Sequence, residues 1–224
     1  MKRSKRSLEN REKAGFKIAS LDAGLDLLAS IKSAKFDESV DLHISLDIDP
    51  KQADQQIRGT MLLPHGTGDS PNIAVVADGK NAEEAKEAGA QKVGAKDLID
   101  EIKSGKLDFD ILLAHPSMMR DLAPLGRVLG PRGLMPSPKA GTVSSDIKGT
   151  VSEFLKGKQS FRNDDGGNVH LKVGKKSFKK NQLLENIQMA HETIKSMRPS
   201  SVKGIYMKKV SLSLTMGPGV KVEI

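Results

Sequence analysis

Apolar and polar residues alternate strictly along residues 40–48, where every second side chain is Val, Leu or Ile. Because neighbouring side chains of a β-strand point to opposite faces, this pattern predicts a strand with one buried and one polar face. Similar alternation returns at residues 57–63, 169–173 and 208–215. Both ends of the chain are therefore predicted to build strands that need a core on one side only.

The middle of the chain has a different pattern. Residues 73–77 and 109–114 are almost continuously apolar, which is typical of strands buried on both faces. Helices are predicted at residues 81–89, 97–104 and 146–156 from their composition and spacing. Strands that alternate with helices indicate a parallel sheet in an α/β layer architecture.

The pattern changes at two glycine-bearing connections, residues 64–72 and the stretch around Gly157. We therefore predict a discontinuous domain, residues 1–67 plus 158–224, and an inserted domain, residues 68–157. Two glycine-bearing connections side by side can act as a hinge between such domains.

Two amphipathic helices are predicted beside the alternating strands. Residues 20–34 and 180–197 carry apolar side chains at helical spacing, and Ser20 is a suitable N-cap for the first helix. Residues 160–162 and 169–173 are separated by an Asp-Asp-Gly-Gly turn, and this arrangement predicts a β-hairpin.

Positive charge is concentrated in two stretches of a chain whose net charge is +8. Residues 1–17, predicted as a loose arm or a frayed helix, contain seven basic and two acidic residues, a net +5. Residues 156–180 contain eight basic and two acidic residues, a net +6. Such concentration favours a polyanionic partner, although a soluble tail and loop would give the same pattern.

The composition disfavours several kinds of site. The chain has no Cys, which removes disulfides and thiolate chemistry and is compatible with a reducing cytoplasm. Its five histidines have no metal-ligand spacing, so no metal is expected, and His43 and His191 are interpreted as solvated surface residues. No apolar run approaches the roughly 20 residues that span a bilayer, and no apolar segment follows the basic N-terminus as in a signal peptide.

A nucleotide-binding enzyme centred on residues 68–157 is the alternative function. Its predicted first strand is followed by Gly79 alone instead of G-x-G-x-x-G, and the chain has no P-loop sequence. Residues 126–143 are glycine-rich, but their prolines remove backbone donors that a phosphate cradle needs. Their cations suit either a nucleic-acid backbone or a loop that is merely rigid: Arg127, Arg132 and Lys139. No carboxylate pair is predicted to be catalytic.

Four motifs together resemble one protein family. They are AKFDESV at 34–40, DQQIRGTMLLPHGTG at 54–68, LGRVLGPRGLMPSPKAGTV at 125–143, and SFRNDDGGNVH at 160–170 taken with TMGPGVKV at 215–222. In this order, and over nearly the whole chain, they are similar to the bacterial large-subunit ribosomal protein L-one family. Members of that family form the mobile side stalk near the tRNA exit site.

The resemblance implies an α/β two-domain fold: a discontinuous α+β, split-βαβ-like domain with an inserted Rossmann-like three-layer α/β domain. It implies a cytoplasmic, ribosomal location and binding to large-subunit ribosomal RNA, mainly through the discontinuous domain. Contact with exit-site tRNA, help in its release, and repression of the protein's own messenger RNA are also implied. The resemblance implies no enzyme activity, cofactor or metal, and neither a membrane nor an obligate homo-oligomer. An RNA-binding protein outside the ribosome stays open as a third interpretation.

The motifs also imply RNA-contacting residues. The matching positions are Phe36, Thr215, Met216 and Gly217. Flanking positions that are weaker candidates are Lys35, Glu38, Arg162, His170 and Lys172. The polar face predicted for the last long strand adds Lys209, Ser211 and Ser213. Short hydroxyl side chains can exchange hydrogen bonds with RNA 2′-hydroxyls, and cations contact phosphates.

Two of these positions carry a specific expectation. The family often has two hydroxyl residues before the Met, whereas Leu214 precedes Thr215 here. Since the alternation directs Leu214 to the core, its substitution for a hydroxyl residue should matter little. Phe36 would also fit a core aromatic at a helix–strand junction, and the motif match favours RNA contact instead.

Overall fold

A computed structural model describes residues 4–15 and 18–224 as a mixed α/β protein with several sheets. The chain divides into two compact units, Met1–Gly68 with Phe161–Ile224, and Asp69–Ser160. We call them the discontinuous unit and the inserted unit.

The helices of the described residues are α1 Lys5–Ala14, α2 Leu21–Ser30, α3 Lys80–Glu87, α4 Lys96–Lys103, α5 Met119–Leu122, α6 Gly126–Leu129, α7 Ile147–Leu155 and α8 Lys180–Ser196. The strands are β1 Ala19–Ser20, β2 Ser39–Leu46, β3 Arg58–Leu62, β4 Ile73–Val76, β5 Lys92–Gly94, β6 Ile111–Ala114, β7 Lys158–Arg162, β8 Asn168–Lys175, β9 Met207–Leu214 and β10 Val220–Glu223. Short 3₁₀ turns occupy Pro116–Met118, Ala123–Leu125 and Pro138–Ala140. No helix among the described residues is long and apolar enough to cross a membrane.

The discontinuous unit is built on a five-stranded sheet of order β1-β10-β9-β2-β8. Strand β2, from the first segment of the unit, lies between β9 and β8 from the second segment and is antiparallel to both. The short β1 is parallel to β10. The middle of the sheet therefore depends on pairs between distant parts of the sequence, such as Val40 with Leu214.

One face of this sheet packs on a helical layer. Along β2 the buried and half-buried residues alternate without exception, as the sequence predicted. The buried side chains of the strands join Leu25 and Leu28 of α2 and Ile187 and Ile194 of α8 in one hydrophobic core. At one point α2 lies so close to the sheet that a Cβ on Gly24 would come within 2.4 Å of Val222 Cγ1. Within the described residues, the side chains of β2 on the opposite face are half-buried and do not belong to this core.

The first helix of that layer is shorter than predicted. The prediction of Ser20 as its N-cap is confirmed, since the backbone N–H of Ala23 donates to Ser20 Oγ at 3.4 Å. The helix ends at Ser30 and not near residue 34, because Ile31 is extended and inserts its side chain into the core.

A helix also forms in the basic N-terminal segment, with Ser4 capping α1. Asn10 is buried and exchanges hydrogen bonds with the backbone of Lys32, with its Nδ2 donating to the carbonyl at 3.0 Å and its Oδ1 accepting from the N–H at 3.2 Å. Residues 5–14 therefore form a helix tied to the unit instead of a loose arm. Residues 1–3 and 16–17 of that prediction lie outside the described residues.

The predicted hairpin of residues 160–162 and 169–173 is wrong. Strand β7 forms a two-stranded sheet with β3, whereas β8 joins the five-stranded sheet, and an isolated bridge links Asn163 to Val169. Asn163 causes this divergence, because its Oδ1 accepts from the N–H of Ile57 at 2.8 Å while its own N–H donates to the Ile57 carbonyl at 3.1 Å. The chain is thereby directed to the segment before β3.

The Asp-Asp-Gly-Gly turn itself forms as predicted. Oδ1 of Asp164 accepts hydrogen bonds from the backbone N–H groups of Gly166 and Asn168, at 2.9 and 2.6 Å. The hydrogen bonds from Asn168 are the main reason that the pKa of Asp164 falls from 3.8 to about 2. Asp164 is therefore a carboxylate at neutral pH.

In the inserted unit three parallel strands form a sheet of order β5-β4-β6. Every residue of β4 is buried, which confirms a strand covered on both faces. Ala74 and Val76 belong to one hydrophobic cluster with residues of α4, α5 and α6, and Val75 belongs to another with residues of α3 and α7. Helices thus cover both sides of this sheet.

Candidate nucleic-acid interface

The uncovered side of the five-stranded sheet is a compact array of polar side chains, which we call the polar face. Its members come from three adjacent strands in register: Asp41, His43 and Ser45 of β2, Asn168, His170 and Lys172 of β8, and Lys209, Ser211 and Ser213 of β9. None of these side chains is large and apolar, so a partner can approach the sheet closely. The sequence predicted five of the nine as RNA contacts: His170, Lys172, Lys209, Ser211 and Ser213.

Two histidines are bonded to each other at the centre of the polar face. Nδ1 of His43 lies 2.8 Å from Nδ1 of His170, and Nε2 of His43 lies 2.9 Å from Oγ of Ser213. On its other side, Nε2 of His170 lies 3.3 Å from Oδ2 of Asp164. The interpretation of His43 as a solvated surface residue is therefore wrong, because it is half-buried and holds two polar partners.

Burial alters the acidity of the groups around this pair. It lowers the pKa of His43, and the neighbouring His170 lowers it further. It also raises the pKa of Asp41, in spite of the opposing effect of the two histidines and Lys172. Both shifts favour the neutral form, as expected where a polar group loses part of its water.

Two loops meet at the end of the sheet where β2 begins and β9 ends, and we call residues 34–38 and 215–219 the loop pair. Glu38 joins them, because its carboxylate accepts from the N–H of Ala34 and, at 3.2 Å, from the N–H of Met216. Thr215 adds a second link: its Oγ1 accepts from Ser39 N–H at 3.0 Å, and its N–H donates to the Ser39 carbonyl at 3.2 Å. The two loops are consequently held as one rigid edge.

Two large apolar side chains project from the loop pair. Phe36 is 52% exposed and Met216 is 59% exposed, in a protein whose other apolar side chains are mostly buried. Phe36 is therefore not a core aromatic. Exposed aromatic and thioether groups held on rigid loops are suited to packing on sugars or bases.

The remaining residues of the TMGPG turn behave as the alternation predicted. Leu214 is buried in the core beneath the turn. The N–H of Gly217 donates to the Leu214 carbonyl at 2.9 Å, and a Cβ on Gly217 would lie 3.0 Å from the Cβ of Leu214. A side chain would crowd this position, so glycine keeps the turn tight.

Glu38 is the predicted contact that the geometry contradicts. It is 1% exposed and both its carboxylate oxygens already accept hydrogen bonds from the loop pair. It can position Met216 but cannot present its carboxylate to a ligand.

The other predicted cations are not clustered. Lys35 is exposed on the loop pair and Lys209 at the opposite end of the polar face, while Lys172 is half-buried. Arg162 lies outside both surfaces, on β7, where it lines an open groove with Arg58, Asp164 and His170. The sequence analysis missed Asp41, His43, Ser45 and Asn168, although the alternation of β2 and β8 placed them beside the predicted residues.

The inserted unit carries exposed cations on the glycine- and proline-rich segment, namely Arg127, Arg132 and Lys139. Among residues 4–15 and 18–224 no group of three or more histidine, aspartate or glutamate side chains could hold a metal ion.

Comparison with known proteins identifies the family of this chain. Residues 27–218 match the Ribosomal protein L1p/L10e family. The chain is 53% identical over 203 residues to the large ribosomal subunit protein uL1 of Thermosipho melanesiensis, covering 90% of this chain and 88% of that protein. It is 49% identical to uL1 of Kosmotoga olearia, covering 99% and 96%, and 50% identical to uL1c of Trieres chinensis, covering 100% and 97%. The chain belongs to the Ribosomal protein L1p/L10e family.

Proposed function

We propose that this protein is a structural constituent of the large ribosomal subunit that binds ribosomal RNA through the polar face and the loop pair. The relatives are named as large ribosomal subunit proteins, which supports a ribosomal role and a cytoplasmic location on the ribosome. The family is not one of enzymes, so the nucleotide-binding enzyme is set aside.

The observation that carries the proposal is that the polar face, whose side chains are mostly short, is bordered by the exposed apolar side chains of the loop pair. The minor groove of an RNA helix is wide and shallow and displays 2′-hydroxyls that short polar side chains and backbone groups can reach. Ser211 and Ser213 supply such groups, and the exposed Phe36 and Met216 supply contacts with sugar or base at one end. Lys209 and Lys35 supply positive charge for phosphates, which fixes position more than sequence.

The proposal assigns RNA binding to the discontinuous unit, with a split-βαβ-like arrangement, and treats the inserted unit as Rossmann-like. Its support is that the half-covered sheet lies in the first unit, whereas helices cover both faces of the sheet in the second. In the same proposal the protein contacts exit-site tRNA and assists its release. It also represses its own messenger RNA by binding a copy of the ribosomal RNA site, so the two RNAs should compete for one surface.

The decisive experiment measures the affinity of the full chain for large-subunit ribosomal RNA at several salt concentrations. We expect log affinity to fall linearly with log salt, because bound cations displace counterions from the RNA. In the Met216→Asp variant, a carboxylate would face the phosphates, and binding should weaken by about 2 kcal/mol or roughly thirtyfold.

Met189→Asp is the matched control, because Met189 is also exposed, at 40%, but lies on α8. It should bind RNA like the unchanged protein. Equal affinities of the Met216 and Met189 variants would remove Met216 from the interface. Failure of the protein to co-sediment with large subunits would favour a role outside the ribosome.

A further inference from the structure

The hydrogen bonds at the centre of the polar face form a continuous chain with a defined direction. Asp164 is ionised and can only accept, so Nε2 of the neighbouring His170 must carry a hydrogen and donate to it. In a neutral His170 the Nδ1 is then an acceptor. The short contact of 2.8 Å between the two Nδ1 atoms consequently requires His43 to donate.

The direction continues to the serine. A neutral His43 that carries its hydrogen on Nδ1 has an acceptor at Nε2, so Ser213 must donate its hydroxyl hydrogen across the 2.9 Å contact. The chain therefore runs from the hydroxyl of Ser213 through both histidines to the carboxylate of Asp164. In this state the Ser213 oxygen can accept a hydrogen bond from a partner but has no hydrogen left to donate.

An additional proton has one acceptable position in this chain. On Nδ1 of His170 it would place two hydrogens between two nitrogens that are 2.8 Å apart. On Nε2 of His43 it breaks no bond, because that nitrogen becomes the donor and the Ser213 oxygen the acceptor. The hydroxyl hydrogen of Ser213 is then released and can point to a partner.

Charged and titratable groups face the pair from every neighbouring element. Across the polar face these are Asp41 on β2, Lys172 on β8 and Lys209 on β9. In the groove beside His170 they are Arg58, Arg162, Asp164 and Asp165. Of these, Asp41 favours a positive charge on His43, while His170 opposes it. Burial is the largest cause and acts with His170, so the pKa of His43 is lowered and its neutral form is favoured.

We propose that Ser213 and His43 form a proton-linked site for one RNA phosphate, and that His43 takes up a proton at Nε2 when this phosphate binds. The inference rests on the proposed RNA-binding function. A phosphate oxygen needs a donor, which Ser213 offers once His43 is protonated, and the new positive charge lies one hydrogen bond behind it. The neutral chain offers only an acceptor and suits a 2′-hydroxyl instead.

The test compares the affinity of the full protein for large-subunit ribosomal RNA at two pH values and constant ionic strength. We expect the unchanged protein to bind about tenfold more tightly at about pH 6 than at about pH 8, the range in which a histidine changes charge. His43→Gln should lose most of this ratio, since it has no group that titrates there. His115→Gln, in the inserted unit, is the control and should keep it.

An unchanged ratio in His43→Gln, or an equal affinity of the unchanged protein at both pH values, would overturn the inference. Calorimetry of the unchanged protein in buffers of different ionisation enthalpy measures proton uptake without any variant. Uptake of a substantial fraction of one proton on binding supports the site, and no uptake overturns it.

The bonding pattern can also be read without RNA. Nitrogen-15 NMR of the RNA-free protein should show His43 with hydrogen on Nδ1 and His170 with hydrogen on Nε2, and the opposite tautomers would overturn the inference. A failure of the proposed function looks different. In that case the protein binds the RNA at neither pH, whatever the tautomers are.

Discussion

The two sheets of this protein differ in how many of their faces are covered. Helices pack on both faces of the three-stranded parallel sheet of the inserted unit, and every residue of β4 is buried. In the five-stranded sheet of the discontinuous unit, helices of the core pack on one face and β2 alternates between buried and half-buried residues.

The difference teaches where each unit can bind a large partner. A sheet covered on both faces offers its strand ends and loops, whereas a sheet covered on one face offers a broad surface whose side chains are fixed by strand pairing. The polar face has this second property. Its cross-strand neighbours are set by the register, for example His43 beside His170 and Ser211.

The largest effects are expected from placing a charge on each face of a strand in the two sheets. Ala74→Asp and Val75→Asp change neighbouring residues on opposite faces of β4, and each should cost about 3 kcal/mol or more because each buries an unpaired charge. In β9, Leu212→Asp should cost as much, whereas Ser211→Asp should change stability by about 0.5 kcal/mol or less. Denaturant unfolding of the full chain measures all four. If Ser211→Asp lowers the free energy of unfolding as much as Leu212→Asp, the five-stranded sheet is not covered on one face only.

An intermediate effect is expected at the loop pair. Glu38→Ala leaves the N–H groups of Ala34 and Met216 without their acceptor, which should cost about 1 to 3 kcal/mol of stability. RNA affinity should fall too, although Glu38 itself cannot touch the RNA. Glu192→Ala removes an exposed carboxylate on α8, away from the loop pair, and serves as control. If both variants bind RNA equally well, the loop pair does not need Glu38 to hold Met216.

The smallest effect concerns the turn beside the polar face. Because folding lowers the pKa of Asp164 from 3.8 to about 2, this carboxylate stabilises the protein above its unfolded pKa. The contribution is lost as the pH falls from about 4 through about 2. Asp164→Asn should therefore lose less of its free energy of unfolding between about pH 4 and about pH 2 than the unchanged protein does. Asp165→Asn, changed at the next residue, should lose as much as the unchanged protein. Identical acid profiles for all three proteins would contradict the lowered pKa.

Alternation and continuous apolar runs were sufficient to predict most strands and helices. The alternation in residues 40–48 predicted that β2 is buried on one face, and the apolar run in residues 73–77 predicted that β4 is buried on both. Both predictions are confirmed, because the spacing of apolar residues along a strand reflects which of its faces are buried. The hairpin of residues 160–162 and 169–173 failed, because strand partners depend on distant segments. The bonds of Asn163 to Ile57 that separate β7 from β8 have no local pattern.

The candidate site was predicted unevenly for a similar reason. Motif resemblance and alternation predicted Met216, Ser211 and Ser213 as contacts; Met216 is exposed and the two serines are half-buried on the polar face. The spacing of apolar residues could not show that Glu38 is buried and accepts hydrogen bonds from two backbone N–H groups. It also could not show that His43 on β2 contacts His170 on the neighbouring strand β8. Such roles depend on register, which two segments far apart in sequence determine together.

The strand order also fixes when the polar face can first exist during synthesis of the chain. Its middle strand β2 is made early but is paired on one side by β9, which ends at Leu214, and the loop pair needs Met216. The inserted unit ends at Ser160, so it can fold before β8 and β9, the strands that pair with β2, have been made. A nascent chain therefore cannot present this surface to a partner until almost all of the residues described here have left the ribosome that makes them.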